Sequence, residues 1–337
     1  MKKILLLCCL FLISTLNASV PGYHVVKKIQ IGGDGFWDYL IVDNAARRLY
    51  VSHSTKVMVI DIETDKLVGE INDTPGVHGI ALAPEFNRGY ISCGRAEKAI
   101  IFDLNTLEVI GQVKTGSNPD AIRYDPFTKR VFVFNHSGND ATVFDAATGK
   151  IEGTIALGGA PEFSRIDGKG KIYVNIEDLS EVAEIDCRTL NITRRFSIEP
   201  GEEPTGMGFD VANHLIFSAC SNKMMTVLDI ETGKVIATVP IGSGCDGAGF
   251  DAETGLIFCS NGEGTLSVIE QSSPGEYDVA ETVSTQSGAR TMTIDPTTHN
   301  IYLPTAQFTP PAAPTPEVPR PRRTVIKDSF CVLVVGK

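Results

Sequence analysis

Tryptophan occurs once, as Trp37, in a chain of 337 residues. So few flat aromatic surfaces give single-stranded nucleic acid little to stack on. Positive charge is also short: 30 Lys and Arg stand against 41 Asp and Glu, a formal net charge of −11. That average field repels a phosphate backbone, so nucleic acid is not an expected partner. CxxC, CxxCH and HExxH are all absent. This excludes the paired-cysteine zinc site, the c-type haem site and the helical zinc-protease site. No stretch shows sustained helical periodicity. Beyond the N-terminus no apolar run is long enough to cross a bilayer, so no membrane span is expected.

The exception at the N-terminus is "MKKILLLCCLFLISTLNASV". Lys2 and Lys3 precede an apolar run from Ile4 to Ile13, and small residues follow, with Ala18 as the last before cleavage. This is the layout of a secretory signal peptide: the run is too short to span a bilayer, and a retained anchor or a lipoprotein through Cys8 or Cys9 is the weaker alternative. The expectation is export to the periplasm or the exterior, with residues 1–18 removed and 19–337 forming one domain. Without Lys2 and Lys3 the 30 basic residues become 28 against 41 acids, a net charge of −13. The mature chain keeps Cys93, Cys187, Cys220, Cys245, Cys259 and Cys331, widely spaced. Export permits disulfides. Cys220 and Cys245 are near neighbours in the repeat alignment below, and either a bridge or two buried thiols suits them.

What the chain has in abundance is itself. An aspartate closes a short apolar alternation at Asp61, Asp103, Asp145, Asp186 and Asp229, with Glu270 next, at spacings of 42, 42, 41, 43 and 41. A buried-type aromatic keeps the same period: Tyr50, Tyr90, Phe132, Tyr173, Phe217, Phe258 and Tyr302. Each unit reads as four short strands joined by turn residues, which is a β-propeller blade. Seven aromatics predict an all-β, seven-bladed propeller. The last unit ends at "SFCVLVVGK", one strand short, and "YHVVKKIQIGG" near the N-terminus supplies the missing one. Ring closure by that strand leaves no open edge. The recurring aspartates are expected to accept turn N–H groups rather than to bind metal.

The strands "YVSH", "YISC", "FVFN" and "YVNI", the "VID" endings and "ETGKVIATVPIG" resemble the YVTN-repeat β-propellers, the YncE-like family of exported bacterial proteins. The resemblance spans the mature chain, although no blade keeps the YVTN tetrapeptide itself. It implies a seven-bladed propeller. Members include substrate-binding and interaction proteins and at least one single-strand DNA binder. Neighbours in fold are lactonases and quinone-linked dehydrogenases. Fold alone selects none of these.

In a near-repeating chain the informative positions are those that stop repeating. Strand alternation puts the start of each first strand and the end of each second strand at one mouth of the central channel. The first set is Asp38, His78, Asp120, Glu162, Thr205, Asp246 and Arg290. The second is His53, Cys93, Asn135, Ile176, Cys220, Asn261 and Thr305, with His136 and Glu177 one residue beyond. Asp120, Glu162 and Asp246 with His78 could bind a divalent metal or act as acid and base. Arg290 could clamp a carboxylate or neutralise Asp38. The plain alternative is a wet, solvated rim. The expected function is non-catalytic binding of a small molecule, peptide or protein at this face, by a monomer. The runner-up is a lactonase-type hydrolase using His78 with Asp120 or Glu162, with a divalent metal as the one cofactor considered. A proline-rich insertion over 304–329, carrying Arg320, Arg322, Arg323 and Lys327, reads as a solvated loop or as a lid on the same face.

Overall fold

A computed structural model describes residues 22–310 and 323–337. The N-terminal segment read above as a signal peptide and the middle of the proline-rich insertion lie outside the described residues. Seven four-stranded antiparallel sheets form the ring. Blade three shows the unit: Pro119–Asp125, Arg130–Asn135, Asp140–Asp145 and Ile151–Ala156, each paired with the next. The seventh blade comprises Thr293–Ile294, Ile301–Thr305, Cys331–Gly336 and the N-terminal strand His24–Gln30. Gln30 pairs with Cys331 and His24 with Gly336, so the first strand of the chain closes the ring.

The sheets form because their second and third strands alternate apolar side chains toward both neighbouring blades. The repeating aromatics Tyr50, Tyr90, Phe132, Tyr173, Phe217, Phe258 and Tyr302 are all buried. They meet the next blade edge-on or tilted, as in Tyr50–Phe102, Tyr90–Phe144 and Tyr173–Phe209. Such contacts add to burial, which is the main driving force. The repeating aspartates cap turns. Asp145 accepts the Thr148 N–H at 2.8 Å, and Asp61, Asp103, Asp186 and Asp229 do the same in their blades.

All six described cysteines are free and buried. Cys220 and Cys245 are therefore two thiols rather than a bridge, and burial pushes the Cys220 thiol up to about 12.

The first strands line the channel, and they share an irregularity. Pairing with the second strand slips between Val77 and Ile80, Pro119 and Ile122, Pro161 and Ser164, Pro204 and Met207, and Cys245 and Gly247. A bulge of this kind re-aims a side chain out of the pleat. The re-aimed residues are His78, Asp120, Glu162, Thr205 and Asp246. The backbone at this mouth is held from the preceding blade: Ser92 Oγ donates to Asp120 O, Asn175 Nδ2 to Thr205 O at 2.8 Å, and Ser260 Oγ to Arg290 O at 2.5 Å. Thr291 Oγ1 donates to Asp38 O at 2.7 Å.

Candidate functional site

Six of the seven first-strand positions, four of them on bulges, come together in two carboxylate–imidazole clusters and one ion pair. In the first cluster His78 Nδ1 lies 2.6 Å from Asp38 Oδ2 and 3.3 Å from Asp120 Oδ1. One ring nitrogen carries one proton, and the shorter contact takes it. Asp120 Oδ1 is buried and has no hydrogen-bond partner among the described residues. In the second cluster His136 Nε2 lies 3.2 Å from Glu162 Oε1 and 3.1 Å from Glu177 Oε2. His136 and Glu177 sit just past the second strands, where their N–H groups donate to Asn118 O and Ala160 O. Within each cluster the three ligand atoms all lie within 4.8 Å of one another, close enough to share a metal ion.

The ion pair is Arg290 with Asp246. Nε meets Asp246 Oδ2 at 2.6 Å, while Asp38 is 3.6 Å from Nη2. Arg290 is thus spent on the preceding blade rather than free to clamp an external carboxylate. Thr205 Oγ1 donates to Cys245 O at 2.8 Å, so blade five ties backbone together and adds no charge.

Charge at the mouth is unbalanced. Among the described residues, the cations paired with Asp38, Asp120, Glu162, Glu177 and Asp246 are His78, His136 and Arg290. Burial holds the Asp120 carboxyl well above its ordinary range, and the neighbouring Glu162 and Asp38 charges push the same way. Burial also raises Glu162 and Asp246, against the pull of His136 and Arg290. Burial disfavours the imidazolium of His78, but the Asp38 bond and the surrounding carboxylates outweigh it and raise it to about 9. Hydrogen bonds to Glu162 and then Glu177 raise His136 to about 10. Both rings are therefore cations at neutral pH.

Two sequence expectations need correction. His53 does not reach the mouth. Its ring is 1% exposed and stacks flat on Phe330, with centroids 4.0 Å apart. Among the described residues neither ring nitrogen has a partner, and burial lowers its pKa to about 4. Asn135, at the equivalent second-strand end, is likewise fully buried and bonds Asp140 and Thr142 of its own blade. The other correction divides His78, Asp120 and Glu162: the first two share a cluster with Asp38, and Glu162 belongs with His136. Tyr39, which no repeat position marks, joins the site. Its hydroxyl lies 3.3 Å from Glu162 Oε2 and its ring packs edge-on against Phe163, forming a floor beneath the carboxylates.

The base of the proline-rich insertion is built into the ring. Thr309 N donates to Thr324 O at 2.9 Å, and Phe308 packs against Trp37. Arg323 Nη1 reaches Ser287 Oγ at 3.4 Å; Arg320 and Arg322 lie outside the described residues.

No protein-family model and no curated protein matches this sequence. Among solved structures, a chain of Kuenenia stuttgartiensis hydrazine synthase is similar, with a TM-score of 0.72 at 16% identity, covering 82% of this chain and 94% of that one. At that identity the likeness shows the propeller fold and nothing about chemistry.

Proposed function

We propose that this chain is an exported, YncE-like binding propeller that captures a cationic group at its channel mouth without transforming it. The observation that carries the reading is the Asp38–His78–Asp120 cluster, where a buried carboxylate oxygen faces an imidazole already bonded to another carboxylate. A divalent ion is the cation that answers this arrangement best, because imidazole and carboxylates together suit first-row metals. An ammonium or guanidinium group of a small molecule or peptide meets the same surplus of negative charge. Among the described residues no helix is long and apolar enough to cross a membrane, which accords with capture in solution.

A lactonase-type, metal-dependent hydrolysis remains the second reading, favoured by the presence of two three-ligand clusters each containing a histidine. The experiment that tests the primary reading is calorimetric titration of mature protein with Mn²⁺, Zn²⁺ and putrescine, repeated with Asp120→Asn. Binding of a cation by the wild type, weakened tenfold or more in the variant, is expected. No binding by any of the three would sink the reading, and turnover of a lactone panel by the metal-loaded protein would promote the second.

A further inference from the structure

Below the Tyr39 floor the channel changes sign. Each first strand has one residue paired with the framework aromatic of its own blade. These are Ile41, Ala81, Arg123, Arg165, Gly208, Gly249 and Thr293, opposite Tyr50, Tyr90, Phe132, Tyr173, Phe217, Phe258 and Tyr302. Five are uncharged and two, in adjacent blades, are arginines. They lie three residues beyond Asp120 and Glu162, roughly 10 Å deeper along an extended strand.

Neither guanidinium is neutralised. Burial lowers Arg123 to about 10 and Arg165 to about 9, and no carboxylate charge offsets it in either case. Arg123 uses only Nε, in a 3.4 Å bond to Ser164 Oγ, so its four terminal N–H groups have no acceptor among the described residues. Arg165 donates Nε to Met207 O at 2.9 Å and Nη2 to Ala248 O at 3.2 Å, which leaves Nη1 free. Both stack on Phe163, at 4.8 and 4.6 Å from the ring centre, which fixes where the free N–H groups can lie. Both residues are half-buried, so the free N–H groups stay accessible from the channel to an incoming acceptor.

Space for a partner is present. A cavity of about 60 Å³ is lined by Tyr39, Phe163, Arg123 and Arg165. A wider vestibule of about 350 Å³ shares Arg165 and Met292 with it and is walled by Phe209, Phe250 and Pro296. Val211, Asp251 and Pro296, at and beyond the far ends of first strands, mark the vestibule as the face opposite the carboxylates. Asp251, the one acid on that wall, is occupied by His299 Nδ1 at 2.7 Å and Thr254.

We infer that this chamber binds a small organic carboxylate, its head held by Arg123 and Arg165 and its apolar body lying in the Phe209–Phe250–Met292 vestibule. A planar carboxylate matches the guanidinium fork, and apolar walls with a few fixed polar groups are the usual form of a small-molecule site. The inference is independent of the cation reading: it concerns the other face and the other charge.

The test is calorimetric titration of mature protein with hexanoate, hexan-1-ol and inorganic phosphate, followed by Arg123→Gln and Arg123→Lys. Saturable binding of hexanoate, at least tenfold tighter than either control, is expected, because a charge-assisted hydrogen bond is worth roughly tenfold or more. Arg123→Gln should weaken hexanoate by about tenfold and Arg123→Lys by less. Equal binding of hexan-1-ol would reduce the site to an apolar hole, and equal binding of phosphate would remove the vestibule from recognition; either overturns the inference. Absence of hexanoate binding, or wild-type affinity in Arg123→Gln, overturns it as well. If Arg123→Gln fails to fold by circular dichroism, the wild-type comparison of hexanoate with its two controls decides alone.

Discussion

The aspartates of the turns and the acids of the channel mouth are the same chemistry in opposite settings. At the turns, Asp145 and Asp186 are held below the ordinary carboxylate range by Thr148 and Thr189, whose backbone and hydroxyl groups donate to them. At the mouth, burial and like charge raise Asp120, Glu162 and Asp246. The histidines divide the same way. His53, packed in the frame, is lowered to about 4, whereas His78 and His136 are raised to about 9 and about 10. The frame spends its polar groups on its own backbone and apolar neighbours. The mouth keeps charges in mutual conflict, a state that burial makes unfavourable and that a bound cation would relieve.

The largest expected effect is on the frame histidine. His53 is neutral when folded down to about pH 4, while in the unfolded chain it titrates at its ordinary value of 6.5. The unfolded state therefore binds more protons between those values, and stability falls as pH drops through that window. The loss amounts to about 3 kcal/mol by pH 4, from about 1.4 kcal/mol per pKa unit. His53→Phe should flatten this part of the denaturant-midpoint profile. An unchanged acid limb would show that the ring is not the proton acceptor.

A paired substitution sharpens the contrast among carboxylates. Asp145→Ala removes turn hydrogen bonds and should destabilise by roughly 1 kcal/mol. Asp120→Asn removes a charge that its setting opposes, and should leave the melting temperature unchanged or slightly raised at pH 7. Thermal melts of the two variants side by side decide it. A loss at Asp120 equal to that at Asp145 would erase the distinction.

The smallest effect is expected at the insertion. Thr309 and Thr324 are already bridged, so replacing residues 311–322 with a short glycine link should leave the melt where it is. Phe308→Ala, which strips a ring from Trp37, should lower it.

The fold was legible because a period near 42 residues repeats a buried aromatic and a capping aspartate, each with one physical job. The mouth was partly legible for the complementary reason: the positions where the period breaks, Asp38, His78, Asp120, Glu162 and Asp246, are the ones that meet at the channel, four of them turned there by bulges. Sequence position could not say which way a strand end faces. His53 and Asn135 lie one residue short of His136's position in the repeat, and a period of two sends them between blades instead. Pairings between neighbouring blades, such as Arg290 closely with Asp246 and more loosely with Asp38, depend on side-chain reach that no repeat encodes. Tyr39, Arg123 and Arg165 read as ordinary strand residues. The arginines' signal was available only in the register opposite the framework aromatics, where they replace small or apolar residues; Tyr39 has no such mark.

The central claim, that the Asp38–His78–Asp120 cluster is a cation site, is tested most directly by the proton balance of Zn²⁺ binding. His78 is protonated up to about pH 9, so a metal must displace that proton. Calorimetric titrations at pH 6.5 and 8 in buffers of different ionisation enthalpy should show proton release and tighter binding at the higher pH. Binding with no proton release and no dependence on pH would contradict the account.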